Sequence, residues 1–222
     1  MAFKDKYQAF LVQQAKSSKM IVVGGTTVSK KGQEFYNTVL VAFPNGQIKT
    51  MDKTLLTPWE LTHHITGVGQ SKIPLNFATP WGQVAVLICY ESESPQIVSK
   101  LADINPDLVL ITSSTNQLAG LERVQDSAKY IAASLFTYTV LTGVTTGYAR
   151  DQVKNNDVGQ AVFDSPPELL GDKVDQAGTF NQPDLFVVTA DLKKIKQQKI
   201  SPASTFAARD YLIQHPALRL SH

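Results

Sequence analysis

The stretch Val84-Ala85-Val86-Leu87-Ile88-Cys89-Tyr90-Glu91-Ser92-Glu93 decides how this chain is read. An unbroken run of apolar, largely β-branched residues is the pattern of a strand buried on both faces, and the change to polar residues at Tyr90 marks where it leaves the core. Cys89, the only cysteine, then falls at the C-terminal end of that strand. Ligands of open α/β sheets bind at that end, so a lone thiol flanked by acids there is a candidate nucleophile as well as a small core hydrophobe.

Composition bounds the rest. The chain has 222 residues, 43% hydrophobic and 18% charged, enough to bury a sizeable core in one large α/β domain or two small ones, and with no linker in the sequence one domain is expected. A formal charge of +2 with scattered lysines gives no footprint for nucleic acid, although Lys193, Lys194 and Lys196 cluster. One cysteine excludes an internal disulfide and any zinc site of several cysteines. No apolar run approaches the roughly 18 residues of a membrane span. The adjacent His63 and His64 point away from each other in a regular element and lack a third ligand at family spacing, so no metal is expected.

On either side of the central strand the pattern alternates in the α/β manner. Phe3, Tyr7, Phe10 and Leu11 recur at helical spacing through Ala15, predicting a helix over 3–17. Met20 to Gly25 predicts a short strand ending in two glycines. Val39–Phe43 and Gln47–Met51 flank Pro44-Asn45-Gly46, a hairpin signal. Residues 55–60 read as a loop. Downstream come a helix over 95–103, a strand over 107–112, a helix over 122–138 and a strand over 139–144. The polar stretch 151–178 carries a short strand at 160–163. Residues 184–189 read as the last strand, and 193–222 as an extended or partly helical tail.

Taken in order, Tyr36-Asn37-Thr38, Pro44-Asn45-Gly46, Asp52-Lys53, Leu56-Thr57-Pro58-Trp59-Glu60 and Ile88-Cys89-Tyr90-Glu91 resemble the nitrilase, or carbon-nitrogen hydrolase, superfamily. Cys-Tyr-Glu is most similar to the apolipoprotein N-acyltransferase branch or the conjugal-transfer TraB-like branch. The resemblance implies a single α/β domain of the nitrilase-like αββα type. It also implies thiol chemistry at an amide or ester bond, with Cys89 as nucleophile, Lys53 as catalytic lysine and Glu60 as an accessory catalytic acid. Tyr90, Glu91 and Asn116 are the expected substrate-binding residues. The substrate is a small acyl or amide compound, no cofactor is expected, and homodimers occur in the family.

The chemistry explains the residue types. A thiol near neutrality needs a base to take its proton, and its attack on a carbonyl builds an oxyanion that an ammonium and a backbone N–H can stabilise. The acyl group then waits as a thioester on Cys89 until water or an amine takes it. Two departures stand out. The superfamily's base glutamate, in a Pro-Glu context upstream of the lysine, has no match, Glu34 being the only glutamate before Lys53. Either the chain lacks the first strand-helix-strand portion of the fold together with its base, as part of a longer protein or as a truncation, or another acid substitutes; the former is expected because strand, helix and base are missing together. It would be cytoplasmic if complete, and extracytoplasmic if part of a membrane N-acyltransferase-like protein. The loop Ser113 to Gly120 is small and polar where relatives carry an aromatic wall. Two non-enzymatic expectations stay open, a nitrilase-like interaction domain and a plain α/β ligand-binding module.

Overall fold

The structure is a computed structural model and describes residues 2–145, 157–167, 169 and 175–200. Two sheets face each other. The first is antiparallel and holds, in order, β1 (Val22–Lys31), β2 (Glu34–Ala42) and β3 (Ile48–Asp52). The second has six strands in sequence order: β4 (Leu75–Ala78), β5 (Gln83–Ile88), β6 (Leu108–Ser113), β7 (Tyr138–Gly143), β8 (Val162–Asp164) and β9 (Gln176–Ala177). Its β5, β6 and β7 are parallel, joined by the crossover helices α3 (Pro95–Ile104) and α4 (Leu118–Leu135). The remaining helices are α1 (Ala2–Ser18), α2 (Pro58–Thr62) and α5 (Leu192–Lys199). None among the described residues is long and apolar enough to cross a membrane.

Period-two alternation builds the layers. Val39 and Val41 of β2 face Phe77, Val84, Val86 and Ile88 across the inter-sheet core, while Leu40 and Ala42 turn to Leu11 and Ala15 of α1. On β5 the intervening Ala85 and Leu87 face away, into a cluster with Leu101 of α3 and Leu121, Val124, Ala128 and Ile131 of α4. The result is an α–β–β–α sandwich, in which both faces of the central strand are dry. That is why Val84–Ile88 carries no polar residue.

Several predicted boundaries move. The first strand runs ten residues, to Lys31, because Gly24-Gly25 forms a bulge rather than an end: the register shifts between Val23 and Thr26, and Gly25 has φ +68°. Its partner β2 starts at Glu34, well ahead of the apolar run at Val39. Residues 58–62, read as loop, form a short helix because Thr57 and Glu60 make a reciprocal capping box and Pro58 occupies the first turn. Helix α4 spans 118–135 instead of 122–138, ending where Phe136 turns left-handed at φ +50°. Residues 184–189 are not a strand. Their alternation is real, with Phe186 and Val188 packing on the Phe136/Tyr138/Phe163 cluster while Leu185 and Val187 face solvent, but no ladder pairs them. Within the predicted tail, 192–199 is helical, capped by Asp191 and anchored by Lys199 to Asn105 and the Pro106 carbonyl. The reading of 201–222 lies outside the described residues.

Candidate active site

Strand β5 delivers Cys89 to the C-terminal edge of the second sheet, at the first position of a 3₁₀ turn, Cys89–Glu93. Cys89 has φ +48°, in the left-handed region that a residue with a Cβ adopts only when its surroundings impose it. The sharp strand-to-turn reversal leaves the thiol half-buried, packed on both the inter-sheet core and the helix-side core. Ser113 Oγ donates to Sγ at 3.4 Å, and Sγ lies 3.8 Å from the Ser114 carbonyl.

Lys53 follows the end of β3 and is 2% exposed. Its Nζ donates to Glu60 Oε2 at 2.7 Å. Glu60 is saturated: Oε2 also accepts from Thr57 N (2.8 Å) and Thr57 Oγ1 (3.0 Å), and Oε1 from Asn37 Nδ2 (2.7 Å). Burial pushes the Glu60 carboxyl up, but the charge and hydrogen bond of Lys53, with the hydrogen bonds of Thr57 and Asn37, outweigh it and hold the group below its ordinary value. This is a fixed ion pair, with Glu60 a carboxylate at neutral pH.

Glu91 joins the two halves. It is 1% exposed, and its carboxylate accepts Thr54 N (2.7 Å) and Thr54 Oγ1 (2.8 Å) on Oε1 and Ile88 N (2.9 Å) on Oε2. One buried carboxylate therefore bonds the residue after Lys53 and the residue before Cys89. The sequence expectation has Glu91 meeting substrate; in the structure both of its oxygens accept from the protein's own donors. Tyr90 is half-buried in the 3₁₀ turn, and Asn116 is exposed between β6 and α4. Just before Asn116, Thr115 pairs with Val158, and Ser114 Oγ donates to Asp157 Oδ2 at 3.0 Å, bringing an acid to the Cys89 rim that sequence reasoning missed. No motif marks Asp157, since only the fold brings 157–158 to this loop. His63 lies apart, its ring stacked on Trp59 at 4.0 Å and its Nδ1 2.8 Å from the Trp59 carbonyl. Among the described residues no group of three or more His, Cys, Asp or Glu could hold a metal ion.

A two-sheet α/β sandwich with a thiol on a left-handed turn at a strand end, tied through Glu91 to the loop that follows a buried lysine–glutamate pair, defines a class of α–β–β–α scaffold that carries a cysteine and a lysine. Residues 3–144 match the carbon-nitrogen hydrolase family, and the chain belongs to it. Among curated proteins it is similar to the Probable hydrolase YhcX of Bacillus subtilis, 23% identical over 159 residues. That match covers 72% of this chain but only 30% of the relative's length. Among solved structures it is similar to a carbon-nitrogen hydrolase from Helicobacter pylori (14% identity, TM-score 0.73, covering 100% of this chain and 77% of that one). It is also similar to a mutant of the amidase from Nesterenkonia sp. in complex with butyramide (16% identity, TM-score 0.64, covering 87% and 70%). At these identities the structural likeness concerns the fold.

Proposed function

We propose that the protein breaks a carbon-nitrogen (amide) or ester bond by acyl transfer through Cys89, with Lys53 stabilising the oxyanion. The observation that carries this is the Glu91 carboxylate bonded at once to Thr54 and Ile88, because a buried charge spent on spanning a lysine loop and a cysteine turn fixes their mutual distance. Cys89 Sγ attacks the acyl carbon, and the carbonyl π electrons move to oxygen. The Lys53 ammonium and a backbone N–H beside the cysteine meet the developing charge, an effect worth about 3 kcal/mol per donor in comparable sites. Collapse breaks the bond from the acyl carbon to nitrogen or oxygen, and the leaving amine or alcohol takes the proton that the Cys89 thiol gives up; water or an amine then attacks the thioester, the carbon–sulfur bond breaks, and the nucleophile's proton returns to Sγ. Glu60 keeps Lys53 in place, and its ionised carboxylate, already accepting four hydrogen bonds, is a poor acceptor for the thiol proton. Glu91 acts by positioning, leaving Tyr90 and Asn116 as the residues proposed to meet substrate.

Family membership and the likeness to an amidase fold holding butyramide support an amide as the substrate class. The similarity of Cys89-Tyr90-Glu91 to the N-acyltransferase branch keeps an amine acceptor open beside water. A second reading, a nitrilase-like interaction domain without turnover, is favoured by one feature: among the described residues Sγ has only Ser113 and Ser114 as hydrogen-bond partners. The test is turnover of simple aliphatic amides and p-nitrophenyl esters by the wild type, Cys89→Ala and Lys53→Ala. Loss in both mutants with folding intact supports the enzyme, whereas equal rates in all three overturn it.

A further inference from the structure

The side chain of Lys53 is accounted for by Glu60, but its main chain is held as well. Lys53 N donates to the Asn37 carbonyl at 2.7 Å, and the Lys53 carbonyl accepts from Gly69 N at 2.8 Å. Asn37 thus touches the pair twice, since its Nδ2 also bonds Glu60 Oε1 at 2.7 Å. Gly69 belongs to a strap, residues 65–69, that returns from α2 across the ends of β2 and β3. Ile65 N bonds the Glu60 carbonyl (3.1 Å), and Thr66 N and Gly67 N both bond the Phe35 carbonyl (3.1 and 2.9 Å). At Gly69 there is no room for a side chain. A Cβ there would overlap the Asp52 carbonyl oxygen and stand 2.8 Å from the Asp52 carbonyl carbon and 3.0 Å from the Lys53 oxygen. All three are backbone atoms, so relief comes only by moving the strap or the Asp52–Lys53 backbone.

We propose that Asn37 and Gly69 are positioning residues for Lys53: Asn37 fixes its N–H and its counter-ion, and the side-chain-free Gly69 fixes its carbonyl. This rests on the reading of Lys53 as the oxyanion-stabilising group. The consequence is that substitutions at Asn37 and Gly69 act on the reaction step and leave substrate binding alone, because a reacting group displaced by about 1 Å costs about 100-fold in rate. Asn37→Ala keeps the main-chain carbonyl and removes only the amide on Glu60. Since that amide helps hold the Glu60 carboxyl below its ordinary value, its loss moves the acid limb of the rate profile to higher pH.

The experiment follows single-turnover acylation of Cys89 by p-nitrophenyl acetate in the full chain. The variants are Gly69→Ala, Asn37→Ala, Lys53→Ala and the control Gly32→Ala, whose position at φ +61° has nothing within 4 Å. Gly69→Ala is expected to acylate about 100-fold more slowly at saturating ester with the half-saturating concentration unchanged, beyond any loss in Gly32→Ala. Asn37→Ala is expected to shift the acid limb upward. Wild-type acylation in Gly69→Ala, with Lys53→Ala inactive, overturns the clamp alone. Wild-type acylation in Lys53→Ala overturns the role of Lys53 and the clamp with it. A crystal structure of Gly69→Ala decides the clamp without reference to activity: an undisturbed Lys53–Glu60 pair and an unmoved Lys53 backbone contradict it.

Discussion

Replacing Glu91 by glutamine is the sharpest perturbation the site offers, because it keeps shape and removes charge. The carboxylate serves three donors: Thr54 N and Thr54 Oγ1 on one oxygen, Ile88 N on the other. Glutamine has one carbonyl oxygen and one amide nitrogen. If the oxygen stays with Thr54, the amide meets the Ile88 N–H donor to donor; in the reverse orientation it meets the Thr54 N–H donor to donor and keeps the Thr54 hydroxyl only if that hydroxyl turns to accept. The cheaper arrangement loses a charge-assisted hydrogen bond, about 1.5–3 kcal/mol. The two remaining bonds, now neutral, keep about half their strength. The sum is a destabilisation of about 3–6 kcal/mol, which at a urea dependence of about 3 kcal/mol per molar lowers the unfolding midpoint by about 1–2 M. The assay is urea denaturation followed by circular dichroism, with Cys89 acylation measured on the folded variant. A midpoint shift below about 0.3 M would refute the claim that this carboxylate is the strut between the two halves.

Other outcomes follow from the same geometry. Lys53→Met leaves Glu60 buried without its counter-charge and is expected to cost about 3–5 kcal/mol, part of which returns in Lys53→Met/Glu60→Gln; equilibrium unfolding of the four proteins checks this. Glu60 is ionised more readily in the folded protein than in the unfolded chain, so its stabilisation is complete above the unfolded carboxyl range near pH 4.3 and is lost as pH falls through its lower folded value. Thermal melts between neutral and acid pH are expected to show a shallower acid decline in Glu60→Gln than in wild type. Leu87→Ala, fully buried against the crossover helices, is expected to cost about 2–5 kcal/mol, while Val28→Ala, 54% exposed on β1, stays within about 0.5 kcal/mol.

The central strand was legible because Val84–Ile88 is buried on both faces and can carry no polar residue, and the Asn45-Gly46 turn because its chemistry is local. The α2 capping box, Thr57 with Glu60, was present in the sequence but hidden under an apolar and proline-bearing stretch. What could not be read is where non-local contacts decide the outcome. Nothing in the spacing of Glu91 says that its carboxylate turns back to Thr54 and Ile88, which lie 37 and 3 residues away. Leu185–Val188 alternates like a strand because Phe186 and Val188 pack on the Phe136/Tyr138/Phe163 cluster, yet it joins no ladder among the described residues. Glu60 illustrates the same limit: an acid seven residues from Lys53 could be a base, a surface charge or a counter-ion, and only burial with four donors makes it the last.

The most direct test of the proposed chemistry is intact-protein mass spectrometry of the chain quenched in acid after brief exposure to p-nitrophenyl acetate, with the adduct located by peptide mapping. The account predicts one acetyl group per chain, on Cys89, appearing rapidly in the wild type, absent in Cys89→Ala and strongly slowed in Lys53→Ala. A wild type that stays unmodified, or that is acetylated on Cys89 at the same rate with and without the Lys53 ammonium, would contradict it.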